Sequence, residues 1–345
     1  MTAQTLKIAC VGAGYFSQFH YDSWRRLKGV HVVGACDLDK AKAAAKAAPI
    51  GARAFDDLDK MLADTKPDVL DVILPPLAHA RAIQSALDAG VKTIICQKPF
   101  CMSLTEACET TTAAQAAGAQ IVIHENFRFQ PWYRCIKQLL AKDAIGQVLQ
   151  MTFRLRPGDG QGAMAYLDRQ PYFQTMPRFL IHETGVHWVD TFRYLFGDPT
   201  AVYADLRRVN PVIAGEDAGV VMFDHPKGIR AIFDGNRHLD HAADNHRRTM
   251  GEALVEGTEG TLKLLGSGAV MHRRFGAVED TEMLAPSMWP GFGGDCVHHL
   301  QAHVVDALHN KGMLENTASS YLKVIEIEQA IYASADEGRK IALDQ

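Results

Sequence analysis

The first third of the sequence alternates short apolar runs with segments that have the residue pattern of helices. The apolar runs have the length and the β-branched content of strands. Strands and helices that alternate in this way build a parallel sheet with helices on both faces. We predict strands at Leu6–Val11, Val30–Cys36, Val69–Leu74, Thr93–Cys96 and Gln120–His124, and helices at Ser17–Leu27, Phe55–Leu62, His79–Ala89 and Ser103–Ala117. The sequence therefore predicts a doubly wound α/β domain over residues 1–125.

The first predicted strand runs directly into a glycine-rich turn. Gly12 and Gly14 are followed by Ser17, which gives a G-x-G-x-x-G fingerprint with serine in the third small position. The first glycine permits a tight turn, and the second lets the backbone approach a pyrophosphate. Asp37 ends the second strand, where an acidic side chain binds ribose hydroxyls; it could also cap a helix beginning at Leu38. Because no arginine follows Asp37, this Rossmann-type pattern favours NAD and leaves NADP possible.

The stretch from Val91 to Phe100 places a lysine at the end of a predicted strand. Ligands of open parallel sheets bind at this carboxyl edge, and Pro99 keeps Lys98 out of the next helix. Lys98 is therefore a candidate site residue, although a surface lysine in an ordinary loop fits the stretch equally well. The cofactor-binding residues predicted at this edge are Gly12, Gly14, Tyr15, Phe16, Asp37, Pro75, His79, Gln97 and Lys98.

Beyond Asn126 the residue pattern changes. Glycines and prolines crowd residues 157–177, which predicts a loop that could cover a site. From Ala201 onward, alternating runs separated by turn residues predict an antiparallel sheet. We predict helices at Pro131–Lys142, His298–His309 and Ser319–Ala335, and a strand at Val148–Arg156. Residues 126–345 are therefore predicted to form an α+β domain with a large, mainly antiparallel open sheet, for substrate binding and oligomerisation.

A histidine and a carboxylate recur at helical spacing in the middle of the chain. In a helix beginning at about Glu183, that residue and His187 lie at positions i and i+4, on one side. A histidine oriented by a carboxylate can take the proton of a hydroxyl group near neutral pH. The alternative is a helix with solvated charges at this spacing. The order of His182, Glu183 and His187 does not make H-E-x-x-H, and we expect no metal site.

Composition excludes several classes of partner. A net charge of -4 and a pI near 6.4 argue against nucleic acid or an anionic membrane as the main partner. No apolar run is long enough to span a bilayer. Only Met1 to Gln4 precede the first strand, so we expect no signal peptide. The seven cysteines include no C-x-x-C pair, which favours free thiols and a cytoplasmic protein.

Taken in order, the motifs resemble the glucose-fructose oxidoreductase, inositol dehydrogenase and rhizopine catabolism family of NAD(P)-dependent oxidoreductases. The resemblance covers nearly the whole chain. It rests on GAGYFS followed by His20, the run ILPPLAHARAIQSALDAGVKTIICQKP, the passage from Asn126 to Val148, the motif ETGVHWVD, and the segment from Tyr332 to Gly338.

The resemblance implies a catalytic group formed by the lysine of a Glu-Lys-Pro motif and a D-x-x-x-H pair. The matching residues are Lys98, His187 and Glu183, with two departures: Gln97 replaces the family's glutamate, and Glu183 replaces its aspartate. The resemblance also implies a sugar, polyol or sugar-derivative substrate and a homodimer or homotetramer built on the open sheet.

The sequence thus predicts an NAD(P)-dependent dehydrogenase that transfers hydride from a carbohydrate hydroxyl, with an aldose such as a pentose favoured. A redox glycosidase that uses bound NAD and a non-catalytic dinucleotide sensor are the alternatives. Arg154 and Arg156 are expected on one face of a strand, where they could bind a sugar acid or remain exposed. The substrate-binding residues predicted are Asn126, Arg128, Arg154, Arg156, His182, Glu183 and His187.

Overall fold

The computed structural model describes residues 5–344, and its internal contacts divide the chain into two compact units. One unit runs to Asn126 and also contains Val297–Lys323; the other contains Phe127–Cys296 and the chain from Val324 onward. The sequence pattern does not predict that residues 297–323 group with the first unit. Residues 1–4, on which the expectation of no signal peptide depends, lie outside the described residues.

The first unit is built on a six-stranded parallel sheet with the strand order β3-β2-β1-β4-β5-β6. Two of its inner strands, Val69–Val72 and Thr93–Cys96, are buried along their whole length, as expected when helices cover both faces of a parallel sheet. The strands are β1 (Leu6–Val11), β2 (Val30–Cys36), β3 (Arg53–Phe55), β4 (Val69–Val72), β5 (Thr93–Cys96) and β6 (Gln120–Ile123). The helices are α1 (Ser17–Arg26), α2 (Lys40–Ala47), α3 (Leu58–Thr65), α4 (His79–Asp88) and α5 (Leu104–Ala116).

The sequence-based elements of this unit are correct except around β3. The predicted helix Phe55–Leu62 begins in a strand of three residues, and α3 starts only at Leu58. The side chain of Asp57 accepts a hydrogen bond from the backbone N–H of Lys60, which caps the helix at that point. A strand this short has no periodicity of its own, so its pairing with β2 decides its structure.

The second unit contains a nine-stranded sheet with the order β14-β13-β12-β11-β7-β10-β9-β8-β15. All neighbouring pairs are antiparallel except β7 and β10. This confirms the predicted fold class. The strands are β7 (Val148–Leu155), β8 (Ala201–Arg207), β9 (Ala218–Asp224), β10 (Arg230–Asn236), β11 (Gly251–Gly257), β12 (Gly260–Leu264), β13 (Val270–Arg274), β14 (Thr281–Leu284) and β15 (Ile341–Ala342). Two helices precede β8 in this unit, α6 (Pro131–Ala141) and α7 (Val186–Phe196).

Aromatic side chains join α7 to the sheet of the second unit. The ring of Trp188 stacks on Phe153 of β7, with centroids 4.2 Å apart, and lies 5.5 Å from Phe233 of β10. All three side chains are almost completely buried. Burial of one such side chain contributes about 1.5–3 kcal/mol, so this contact fixes the helix that carries His187.

Two long helices close the chain, α8 (Cys296–Asn310) and α9 (Ala318–Glu337). Among residues 5–344, no helix combines the length and the hydropathy needed to cross a membrane.

Candidate active site

The glycine-rich turn between β1 and α1 has the geometry of a nucleotide-binding loop. Gly12 has φ +107°, and a Cβ atom there would lie 2.2 Å from the carbonyl oxygen of Ile73. A Cβ atom at Gly14 would meet no atom within 4 Å, so this glycine faces open space. The hydroxyl group of Ser17, in the third small position, is buried and donates to the carbonyl oxygen of Gly14 at 2.7 Å. Serine therefore closes the turn with a hydrogen bond that glycine could not make.

Asp37 lies beside this turn. Its Oδ2 accepts from the backbone N–H of Ala13 at 2.8 Å, and its Oδ1 accepts from the backbone N–H of Asp39 at 2.9 Å. A carboxylate oxygen has two lone pairs, so both oxygens keep the capacity to accept from a ribose hydroxyl. The helix α2 begins at Lys40, not at Leu38, and the side chain of Asp39 caps it. Asp37 is therefore not the cap of that helix.

The loops that follow β4 and β5 contain the remaining predicted cofactor residues of the first unit. Pro75 is exposed, whereas the ring of His79 is buried and its Nε2 donates to the carbonyl oxygen of Leu74 at 2.8 Å. Burial lowers the pKa of His79, opposed by the carbonyl groups of Leu74 and Pro99. The imidazole thus holds the loop after β4 from inside and does not reach the surface.

Lys98 is half-buried at the end of β5, and its peptide bond to Pro99 is cis. The preceding side chain, Gln97, is buried. Its Nε2 lies 2.7 Å from Nε2 of His20, and its Oε1 accepts from the backbone N–H of Lys98 at 3.2 Å. The residue that replaces the family's glutamate is thus held on both sides, by a buried histidine and by the backbone of the candidate lysine.

At the beginning of α1, Tyr15 is 43% exposed and the half-buried ring of Phe16 packs edge-on against His20. Asn126 is buried just after β6.

The segment that carries His182, Glu183 and His187 differs from the predicted helix. Residues Leu180–Gly185 form a single π-helical stretch, and the α-helix begins only at Val186. Glu183 therefore lies in the π-helical stretch and His187 in the α-helix that continues it. Single π-helical turns within helices occur frequently at functional sites.

His187 is almost buried and its ring stacks flat on Phe127, with centroids 3.9 Å apart and an interplanar angle of 4°. One turn further along α7, Asp190 accepts two hydrogen bonds from Arg128, at 2.8 and 2.6 Å. This bidentate ion pair fixes the planar guanidinium group of Arg128 against the helix. Two side chains of the short segment 127–129 therefore contact α7, one at His187 and one at Asp190.

His182 has a carboxylate partner of its own. Its Nδ1 lies 2.6 Å from Oε1 of Glu328 on α9, and its backbone N–H donates to the hydroxyl group of Tyr332 at 3.2 Å. The side chain of His182 remains one-third exposed. A second histidine oriented by a carboxylate thus lies in the π-helical stretch.

Arg154 and Arg156 do not share one environment. Arg154 is exposed on β7, whereas Arg156 lies beyond the end of the strand and is buried. The guanidinium group of Arg156 binds both the carboxylate and the carbonyl oxygen of Asp234, at 2.5 and 2.7 Å. The strand predicted to reach Arg156 ends at Leu155, and the two arginines differ in exposure.

The loop 157–177 is anchored by a buried arginine. Arg237 is 2% exposed and donates to Asp159 at 2.9 Å, to the hydroxyl group of Tyr166 at 2.8 Å and to that of Thr184 at 2.7 Å. Burial alone would lower the pKa of Arg237, but the charge of Asp159 raises it far above the usual range. Glu183, next to Thr184, adds to this effect. The loop is therefore tied directly to the π-helical stretch.

Two functional candidates are absent from the sequence-based set. Asp71 is a fully buried carboxylate inside β4, and Arg237 is a fully buried cation just after β10. A charge within an apolar strand, as in VLDVIL, is the signal that could have indicated Asp71. Nothing local distinguishes Arg237, since its partners are distant in sequence. Among residues 5–344, no three His, Cys, Asp or Glu side chains form a group that could hold a metal ion.

Comparison with known proteins assigns both parts of the chain to one family. Residues 6–125 match an oxidoreductase family with an NAD-binding Rossmann fold, and residues 133–263 match the GFO/IDH/MocA C-terminal domain. The chain is 32% identical to a D-apiose dehydrogenase of Paraburkholderia graminis, over 99% of this chain and 91% of that protein. It is 28% identical to a D-apiose dehydrogenase of Rhizobium rhizogenes, over 99% of this chain and 98% of that protein.

Among solved structures, an oxidoreductase from Agrobacterium radiobacter, in complex with NAD+, L-tartaric acid and magnesium, superposes with a TM-score of 0.88. The two sequences are 26% identical, and 98% of each chain is covered. The family suggested by the sequence motifs is thereby confirmed. The chain belongs to the GFO/IDH/MocA family of NAD-binding oxidoreductases.

Proposed function

We propose that this protein is an NAD-dependent dehydrogenase that oxidises a hydroxyl group of a small aldose, with D-apiose as the first substrate to test. The observation that carries the reaction class is the turn at Gly12 and Gly14, held beside the Asp37 carboxylate at the start of a helix. The full-length similarity to two D-apiose dehydrogenases supports the choice of substrate.

The residues of the first unit fit NAD. Gly14 faces open space that a Cβ atom would enter, and no acidic residue lies in the first turn of α1. Phe16, at the N-terminal end of this helix, has no side-chain acceptor for the backbone N–H groups there. The positive end of the helix is therefore suited to bind the pyrophosphate. Leu38, which follows Asp37, is 97% exposed and offers no charge to a 2′-phosphate. These features support NAD over NADP.

When bound, NAD accepts the hydride that leaves the substrate carbon. We assign to His187 the removal of the hydroxyl proton, which suits an imidazole at neutral pH. Lys98 would donate a hydrogen bond to the same oxygen, and Glu183 would stabilise the charge that His187 gains. The stacking of His187 on Phe127 supports its role, because it fixes the plane of the ring.

For substrate binding we propose Asn126, Arg154 and His182 in addition to Glu183 and His187. Arg154 is exposed on β7, and the ring of His182 is oriented by Glu328. Arg128 and Arg156 complete the proposed set, each with its guanidinium group held by an aspartate.

We further propose that residues 1–125 bind the dinucleotide and residues 126–345 bind substrate. The nine-stranded sheet of the second unit would form the interface of a homodimer or homotetramer, as the open sheet suggests. The free cysteines, most of them buried, support a location in the reducing cytoplasm.

The test is NADH formation with D-apiose, other pentoses, hexoses, inositols and sugar acids, each offered NAD or NADP. We expect turnover with D-apiose and NAD to exceed that with the other sugars. Turnover only with an inositol or a sugar acid would contradict the proposal that the substrate is a small aldose. Cleavage of an aryl glycoside without net NADH would indicate a redox glycosidase, and NAD binding without any turnover would indicate a sensor.

A further inference from the structure

One oxygen atom of a buried carboxylate in β4 is surrounded by three hydrogen-bond donors. Oδ2 of Asp71 lies 2.8 Å from Nδ1 of His20, and it accepts from Nε1 of Trp24 at 2.7 Å and from Nε2 of Gln301 at 3.1 Å. All four side chains are essentially inaccessible to solvent. A carboxylate in such a place requires donors, because burying it without them would cost several kcal/mol.

This carboxylate sets the tautomer of His20. Because Oδ2 of Asp71 is an acceptor, Nδ1 of His20 carries a proton, and Nε2 of the neutral ring is left with a lone pair. The side-chain amide of Gln97 meets that lone pair at 2.7 Å, so its Nε2 is the donor. The ring of His20 also packs against His124, with centroids 4.1 Å apart, which fixes its plane.

The orientation of Gln97 is set at its other end as well. Its Oε1 accepts from the backbone N–H of Lys98 at 3.2 Å. The order of donors and acceptors is therefore consistent from Asp71 through His20 and Gln97 to the backbone of Lys98. The end of this series is the residue to which the proposed function assigns contact with the substrate oxygen.

We propose that Asp71, His20 and Gln97 form a positioning relay that holds the backbone at Lys98 and keeps His20 neutral. This inference rests on the proposed role of Lys98. It explains why residue 97 is a glutamine, whose amide group can donate one hydrogen bond and accept another. A glutamate there would place a carboxylate oxygen against the acceptor Nε2 of His20, so one of the two groups would have to carry an additional proton. The amide of Gln97 supplies the donor without that proton.

The direct test is the ¹⁵N NMR spectrum of the His20 ring in the full-length protein. In the wild type we expect a protonated Nδ1 and an unprotonated Nε2. In Gln97→Glu, which changes the size of the side chain very little, the Nε2 signal should shift, because Nε2 then either carries a proton or accepts a hydrogen bond from the new carboxyl group. A wild-type ring protonated at Nε2 would overturn the relay, and so would an Nε2 signal that is the same in Gln97→Glu and the wild type.

A second variant tests positioning. Gln97→Met keeps the length of the side chain and removes both hydrogen bonds. We expect kcat to fall by roughly 10- to 100-fold, with little change in KM for NAD. A small displacement of a reacting group lowers the rate of the chemical step without weakening the binding of NAD. The Lys98 backbone N–H should also exchange faster with solvent.

Ser23→Ala is the matched control, because it removes a buried hydroxyl group of α1 that lies 3.3 Å from Nδ1 of His298 and is not hydrogen-bonded to Asp71, His20 or Gln97. We expect kcat within twofold of the wild type. A Gln97→Met variant with unchanged kcat and unchanged Lys98 exchange would overturn the positioning role.

Failure of the relay can be distinguished from failure of the proposed function. If the wild type oxidised none of the sugars, the His20 nitrogen signals and the exchange of the Lys98 N–H would still decide whether the relay exists. If the wild type oxidised D-apiose and the His20 signals did not follow residue 97, the relay alone would be wrong.

Discussion

At the scale of single residues, the two glycines of the nucleotide turn are required for different reasons. Gly12 is needed by the fold, since its φ of +107° and the nearby carbonyl oxygen of Ile73 exclude a side chain. A Cβ atom at Gly14 would meet no protein atom, so glycine is required there only if a ligand occupies that space. The sequence shows both as glycine and cannot separate the two reasons.

Alanine at each position separates them. Gly12→Ala should reduce the free energy of unfolding by about 1–3 kcal/mol from backbone strain, with the steric overlap adding to that loss. Gly14→Ala should unfold at the wild-type temperature but bind NAD at least roughly tenfold more weakly, a loss of about 1.4 kcal/mol. Thermal unfolding and titration calorimetry measure the two effects. Wild-type NAD affinity in Gly14→Ala would contradict the proposed site.

Asp37 should determine the choice of cofactor. Replacing it with serine removes the negative charge that would oppose a 2′-phosphate, and we expect the preference for NAD over NADP in kcat/KM to fall by roughly 10- to 100-fold. Asp39→Ala is the control, because Asp39 caps α2 two residues away. That change should cost about 1 kcal/mol of stability and leave the preference unchanged. Equal preferences in the wild type and Asp37→Ser would exclude the role.

A buried histidine in the second unit makes stability depend on pH. Burial lowers the pKa of His225 to about 4, opposed by the carbonyl oxygen of Gly197 and the charges of Asp198 and Asp224. Between the ordinary pKa of about 6.5 and the lowered one, the unfolded chain binds the extra proton and the folded chain does not. Stability should therefore be complete above that range and fall by about 3 kcal/mol as the pH decreases through it.

Urea unfolding at pH 7 and pH 4.5 measures this loss. His225→Gln should show a smaller difference between the two pH values than the wild type. His272→Gln is the comparison, because His272 also donates to a backbone carbonyl group but is only half-buried. An identical pH dependence in the wild type and His225→Gln would assign the effect to other groups.

At the scale of elements, the π-helical stretch Leu180–Gly185 shows where sequence patterns fail. The carboxylate of Glu216 accepts from the backbone N–H groups of Phe179 and Ile181 at its start. The side chain of Thr184 accepts from Arg237 near its end. Both partners are far away in sequence, so local spacing predicts an ordinary α-helix. The positions of most strands along the chain, by contrast, follow from local alternation and could be predicted.

Arg237 should control the order of the loop 157–177. Arg237→Met leaves the half-buried carboxylate of Asp159 without its main partner, and the loss should be smaller than the roughly 3–5 kcal/mol typical of a fully buried pair. We expect faster hydrogen exchange across the loop and the neighbouring π-helical stretch. Arg169→Met removes the other cation bound to Asp159, at a more exposed position, and should have a smaller effect. Equal protection of the loop in the wild type and Arg237→Met would show that Arg237 does not control its order.

At the scale of the whole molecule, the parallel sheet and a large, mainly antiparallel second sheet could be predicted from the pattern of strands and helices, and the family from the order of the motifs. Two features could not. Val297–Lys323 groups with the first unit although it follows the second unit in sequence, and the buried cluster around Asp71 recruits Gln301 from that segment. Both depend on contacts between distant parts of the chain, which no local pattern specifies.

The central claim is that this chain oxidises a sugar through Lys98. The most direct test compares NADH formation from D-apiose by the wild type, Lys98→Met and Lys92→Met. Lys92 is an exposed lysine just before β5 and serves as the matched control. We predict that Lys98→Met binds NAD normally but loses at least roughly a thousandfold in kcat, about 4 kcal/mol of barrier, whereas Lys92→Met retains wild-type turnover. Equal turnover by Lys98→Met and the wild type would contradict the account.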